Sequence, residues 1–127
     1  MPAAYLFEYA VIRFVPRVER EEFMNIGVIV FCKRPAFLRA RVQTDMSKLL
    51  AFDPALDIEV LQVQLRSFEK VCTGAGEGGP IGAMDHASRF RWLTATRSTI
   101  VQTSKVHAGF SDDLEKTVND LFQQLVL

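Results

Sequence analysis

The chain has 127 residues, 49% of them hydrophobic and 24% charged, a balance that excludes a disordered tail and gives one domain able to bury its own core. Fifteen Lys and Arg offset fifteen Asp and Glu, so the formal net charge is zero. A strongly basic nucleic-acid binder is thereby disfavoured, with only a local basic patch left open, and protection against self-association is weak, which makes a homodimer an expectation.

From Tyr5 to Val15 the sequence YLFEYAVIRFV is apolar in both alternate sets, the pattern of a central strand covered on both faces. Pro16 ends it, and Arg17–Phe23 (RVEREEF) is a charged connection. MNIGVIVFC, from Met24 to Cys32, is a second strand. FLRARV, from Phe37 to Val42, alternates apolar residues with Arg39 and Arg41 and predicts an edge strand with one wet face. Thr44 or Asp45 caps a short helix through Phe52. Asp53 followed by Pro54 predicts the start of a longer helix to Cys72, with Ile58, Leu61, Leu65, Phe68 and Cys72 inward and Val60 and Val63 widening that face. TGAGEGGPIG is a loop holding five of the seven glycines. Asp85 caps a helix carrying Phe90 and Leu93, and Ser98–Thr103 is a fourth strand beside the first. Gly109 breaks the chain, and Ser111 caps a last helix with Asp112 and Asp113 in its first turn and Leu114, Val118, Leu121, Phe122 and Leu125 inward. The expected fold class is α+β: an antiparallel sheet of about four strands, an N-terminal three-stranded meander plus a later strand, packed against helices over residues 1–127.

Gly74, Gly76 and Gly79 satisfy the letters of a dinucleotide-binding loop, but a helix precedes them and Pro80 follows, so a plain loop is the better reading. Glu19, Glu21 and Glu22, interleaved with Arg17 and Arg20, read as a solvated connection rather than a cation site. Arg97, Ser98, Gln102 and His107 crowd one strand and its flanks. A guanidinium beside a hydroxyl suits an anion, and an imidazole suits a general base, yet no G-x-S-x-G elbow is present. With Arg13, Arg20 and Glu21 they form the candidate ligand-binding set. Two basic runs, Lys33–Arg41 and Arg89–Lys105, each carry four cations and no acid and would make a patch if the sheet joined them. Trp92 reads more naturally as a buried cover for the sheet than as an exposed anchor. The spacing of two histidines and two cysteines supports neither a metal site nor a disulfide framework. Cys32 and Cys72 read as small buried hydrophobes. No cofactor is expected. No apolar run is long enough to cross a bilayer and MPAAYLFEYA is not a secretory signal, so a cytoplasmic location is expected.

Two segments, EYAVIRFVPRVEREEFMNIGVIVFC (Glu8–Cys32) and RFRWLTATRSTIVQTSKVHAGFSDD (Arg89–Asp113), with GGPIG between them, resemble the bacterial domain-of-unknown-function family 3037. The resemblance covers nearly the whole chain. It implies no reaction. It does imply a neighbour, since members are often encoded beside HipA-like serine/threonine kinases, and it draws interest to Arg20 and Glu21. Thr96 departs from the family pattern, where proline is common, which predicts a less rigid loop. The favoured function is a non-enzymatic accessory or interaction module, with a HipA-like kinase as partner. The alternative is an enzyme or binder for a phosphorylated or nucleic-acid ligand, using an Arg/Glu/Ser/His cluster. A third reading is a dimer formed through Phe37–Val42.

Overall fold

Two apolar faces on one strand require two covering layers, and the first strand has both. The computed structural model describes residues 4–43, 45–74, 78–97 and 99–127. β1 (Tyr5–Phe14), β2 (Met24–Cys32) and β3 (Phe37–Val42) form the expected antiparallel meander. They are followed by α1 (Met46–Phe52), α2 (Ile58–Thr73), α3 (Gly79–Gly82), α4 (His86–Leu93), β4 (Val101–Thr103), β5 (His107–Ser111) and α5 (Leu114–Leu125). The sheet order is β3-β2-β1-β4, and β5 also pairs with β1. Ala10, Ile12 and Phe14 of β1 face Leu49 of α1, Leu61, Leu65 and Phe68 of α2, and Phe90 and Leu93 of α4. Phe7, Val28, Val30 and Cys32 face Leu114, Val118 and Phe122 of α5. An antiparallel sheet thus lies between two helical layers, and the α+β expectation holds. Among the described residues no helix is long and apolar enough to cross a membrane.

β2 carries a bulge. Ile12 pairs with Gly27 and Arg13 with Asn25, so Ile26 is the extra residue and turns into the α2 core beside Ile12. Glycine at 27 is required by crowding, since a Cβ there would lie 2.6 Å from the Arg41 carbonyl oxygen.

Several expectations are corrected. The edge beside β1 is occupied by two short strands, not one. β5 is the strand the sequence hid, because Gly109 reads as a breaker. Its glycine instead lets β5 pass under Phe7, whose ring carbon would be 2.8 Å from a Cβ at 109. Ser104 joins the two pieces: its backbone N–H donates to the Val11 carbonyl and its Oγ accepts the Val11 N–H at 2.8 Å, so the strand break leaves no orphaned donor. The long helix starts at Ile58 with Asp57 as its cap, not at Asp53. Asp53 closes a turn, its Oδ1 accepting from the Ala55 N–H and its carbonyl from Leu56, and that turn brings Leu56 onto the core. Asp113, not Ser111, caps α5, while Ser111 Oγ accepts from the Asp113 N–H. Part of the glycine-rich stretch, Gly79–Gly82, is a short helix, and residues 75–77 within it lie outside the described set. Val60 and Val63 do not widen the buried face of α2; they are about half exposed, and Val71 is buried instead.

Candidate interaction surface

Of the exposed valines of α2, Val63 borders a cavity between α2, α4 and β4. α2 supplies Val63, Phe68 and Val71, α4 supplies Trp92 and Leu93, and β4 supplies Val101. Together they line a mostly apolar groove of about 220 Å³. Its floor is core, because Leu93 and Val101 are buried against the sheet. Its rim is Gln64, Ser67, Arg97 and Thr99. Contrary to expectation, Trp92 does not cover the sheet but stands 41% exposed at the groove wall. The amphipathic spacing explains this: Phe90 and Leu93 take the inward positions of α4, leaving Trp92 on its flank.

Arg97 lies across the indole, its guanidinium carbon 4.0 Å from the ring centroid, and Nη2 donates to the Trp92 carbonyl. Partial burial lowers its pKa from the usual arginine value, without removing a charge that arginine keeps at neutral pH. Among the described residues no carboxylate lies within ion-pair distance of it. Side-chain hydrogen bonds form at both ends of the connection from α4 to β4. Thr94 Oγ1 donates to the Phe90 carbonyl, Thr99 Oγ1 to Val101, Thr103 Oγ1 to Thr94, and Gln102 Nε2 to Thr99.

The residues singled out in the sequence are dispersed. Arg97 and Gln102 border the groove. Arg13 sits on the opposite face of the sheet, its guanidinium carbon 4.0 Å from the Phe23 ring centroid. In register it neighbours Asn25 and Gln102. Asn25 Nδ2 donates to the Leu125 carbonyl and closes the end of α5. Arg20 forms a solvent-exposed ion pair with Glu22 at 2.6 Å. Glu21 follows the 3₁₀ turn Val18–Arg20 in the left-handed region at φ 56°, where it turns the chain into β2. His107 is exposed on β5, its ring 5.3 Å from that of Tyr9. Ser98 lies outside the described residues. The structure thus lines the groove with Arg97 and Gln102, sets Arg13 beside Gln102 in register, and leaves Arg20, Glu21 and His107 elsewhere. Among the described residues no group of three His, Cys, Asp or Glu side chains is placed to hold a metal ion.

The two basic runs do not merge into a patch. Arg39 and Arg41 brace α5, through Glu115 at 2.9 Å and Asn119 at 3.0 Å. Arg89 is buried under the other layer, its Nη1 donating to the Val71 and Cys72 carbonyls and its Nε to Met84. It caps the negative end of α2. Both cysteines are buried as expected, and burial pushes the Cys72 thiol up to about 11. The groove itself had a signal in the sequence: Val63, Gln64 and Ser67, all of which line it, continue a second stripe on α2 that starts at Val60 outside the groove.

An antiparallel sheet with helical layers on both faces, and an apolar groove where one layer stops short of the edge, defines a class of small α+β domain. The chain belongs to the family described as Protein of unknown function (DUF3037), which matches residues 9–126. No curated protein and no solved structure matches it.

Proposed function

We propose that the chain is a non-enzymatic interaction module of the bacterial cytoplasm that docks an extended, partly acidic segment of a partner protein in the α2–α4–β4 groove. The observation that carries this is the pairing of exposed Trp92 with Arg97, which no carboxylate among the described residues neutralises, over an apolar floor. Tryptophan and arginine are the side chains that dominate binding energy when a partner desolvates them. The groove runs beside β4, whose outer edge ends the sheet. Ile100 and Ser104 turn their peptide groups toward β1, so alternation turns those of Val101 and Thr103 outward, where a partner strand can meet them. Arg97 selects a segment with an acidic residue at that point.

The HipA-like kinase implied by the family resemblance is the first partner to test. Purified chain and kinase are expected to co-elute at micromolar concentration. Trp92→Ala and Val63→Glu, both at exposed positions, are expected to weaken the complex at least tenfold while leaving the circular dichroism unchanged. No co-elution with both proteins folded removes the kinase as partner. Binding that both variants leave intact removes the groove as its site.

A further inference from the structure

β5 is an open edge of unusual composition. Among the described residues nothing pairs with its outer side, and from His107 to Ser111 it carries no acidic, lysine or arginine side chain. The opposite side of the sheet ends on β3, which is guarded by Arg39 and Arg41, the kind of charged residue that discourages strand pairing. Phe110 is 74% exposed, and its cross-strand neighbour Leu6 is 58% exposed. Both lie on the face that α1, α2 and α4 cover only farther along β1, from Ala10 onward.

We propose that β5 pairs antiparallel with β5 of a second copy, about a two-fold axis at Gly109, so that the two sheets run on as one. Three features of the strand make it complementary to itself. A pairing centred on Gly109 sets each Phe110 opposite the other copy's Ala108, so a large side chain meets a small one twice on the same face. The residue on the axis has no side chain to obstruct the approach. Charge matches as well: Lys105 precedes the strand and Asp112 and Asp113 follow it. Antiparallel pairing lays the cationic end of each strand against the acidic end of the other. A two-fold axis produces each contact twice, as in isologous dimers.

Five residues of strand and the Leu6–Phe110 patch bury on the order of 1,000 Å² in total, at the low end for a specific interface. The dimer is therefore expected in the micromolar range. The groove is formed by α2, α4 and β4, so loss of the dimer and loss of partner binding are separable outcomes. Sedimentation velocity over a dilution series is the test. The wild-type chain is expected to pass from monomer to dimer across that range. Phe110→Ser should raise the dissociation constant at least tenfold with no change in melting temperature. Lys105→Glu, which sets a carboxylate opposite Asp113 of the other copy, should weaken the dimer too. A wild-type chain that stays monomeric throughout overturns the proposal. So does a dimer that Phe110→Ser does not weaken, or one that Lys105→Glu does not weaken.

Discussion

Arg89 is a buried cation with no carboxylate partner among the described residues, and it holds the end of α2 in place. Replacing it by Met keeps most of the buried stem and removes the guanidinium. Three donor–acceptor pairs are lost, at 2.7, 3.0 and 3.1 Å, to Cys72, Met84 and Val71. Hydrogen bonds to a charged group contribute about 1.5–3 kcal/mol each, and the deserted carbonyls add to the loss. Against this, the unfavourable burial of the cation, worth several kcal/mol, is relieved. The balance is a destabilisation of about 2–4 kcal/mol, a large part of the roughly 5–15 kcal/mol typical of a domain. Urea unfolding should show the midpoint falling by about 1–2 M with the slope unchanged. Amide exchange should quicken first at the C-terminal end of α2, near Val71 and Cys72. Arg89→Lys, which keeps the charge but not the fork, should lie between the two. An Arg89→Met chain within about 0.5 kcal/mol of wild type would refute the assignment, because that is the scatter of a neutral surface change.

Ser104→Ala strips the Val11 N–H of its acceptor inside the sheet and should cost about 1–3 kcal/mol in urea unfolding; no loss would mean the strand break is satisfied some other way. Cys72 should resist iodoacetamide in the folded chain and react on unfolding. Its folded pKa of about 11 against an ordinary 9.0 means the unfolded chain holds fewer protons between those values, so Cys72 lowers stability as pH rises through that window. A Cys72→Ala chain should show a shallower alkaline decline in melting temperature. Hydrogen bonds from Ser47 and Ser88 hold the Asp45 and Asp85 carboxyls below their usual value. Their stabilisation is present above the usual carboxylate range and lost as pH falls through the lowered folded values, so the Asp45→Asn/Asp85→Asn chain should lose less melting temperature than wild type on acidification.

The sheet was legible because strand patterns are strong where both faces are buried: the doubly apolar Tyr5–Phe14 and the β-branched run of β2 leave few alternatives. The cap residues of α1 and α4 were legible too, since Asp45 and Asp85 each precede a clear apolar spacing. Asp53-Pro54 misled because local capping chemistry cannot distinguish a turn from a helix start; the difference is Leu56, which tertiary contact draws to the core. β5 was hidden for a similar reason. His-Ala-Gly-Phe-Ser has weak strand propensity, and its pairing is held by β1 rather than by its own residues. Of the candidate site residues, Arg97 and Gln102 reached a common rim because they are close in sequence. Arg13 and His107 did not, because alternation along β1 and β5 turns them to the α5 side, beside Phe23 and Tyr9 respectively. The exposure of Trp92 depends on where α2 and β4 end around it, which no local pattern encodes.

Trp92 is the only tryptophan in the sequence, so one spectroscopic probe reports directly on the groove. With 5-fluorotryptophan incorporated, the chain gives a single fluorine resonance. Titration with the HipA-like kinase should shift or broaden that resonance in step with complex formation, and Arg97→Ala should weaken the response. A complex that forms while the resonance stays at its free position would contradict the account, because the partner would then be bound somewhere other than the groove.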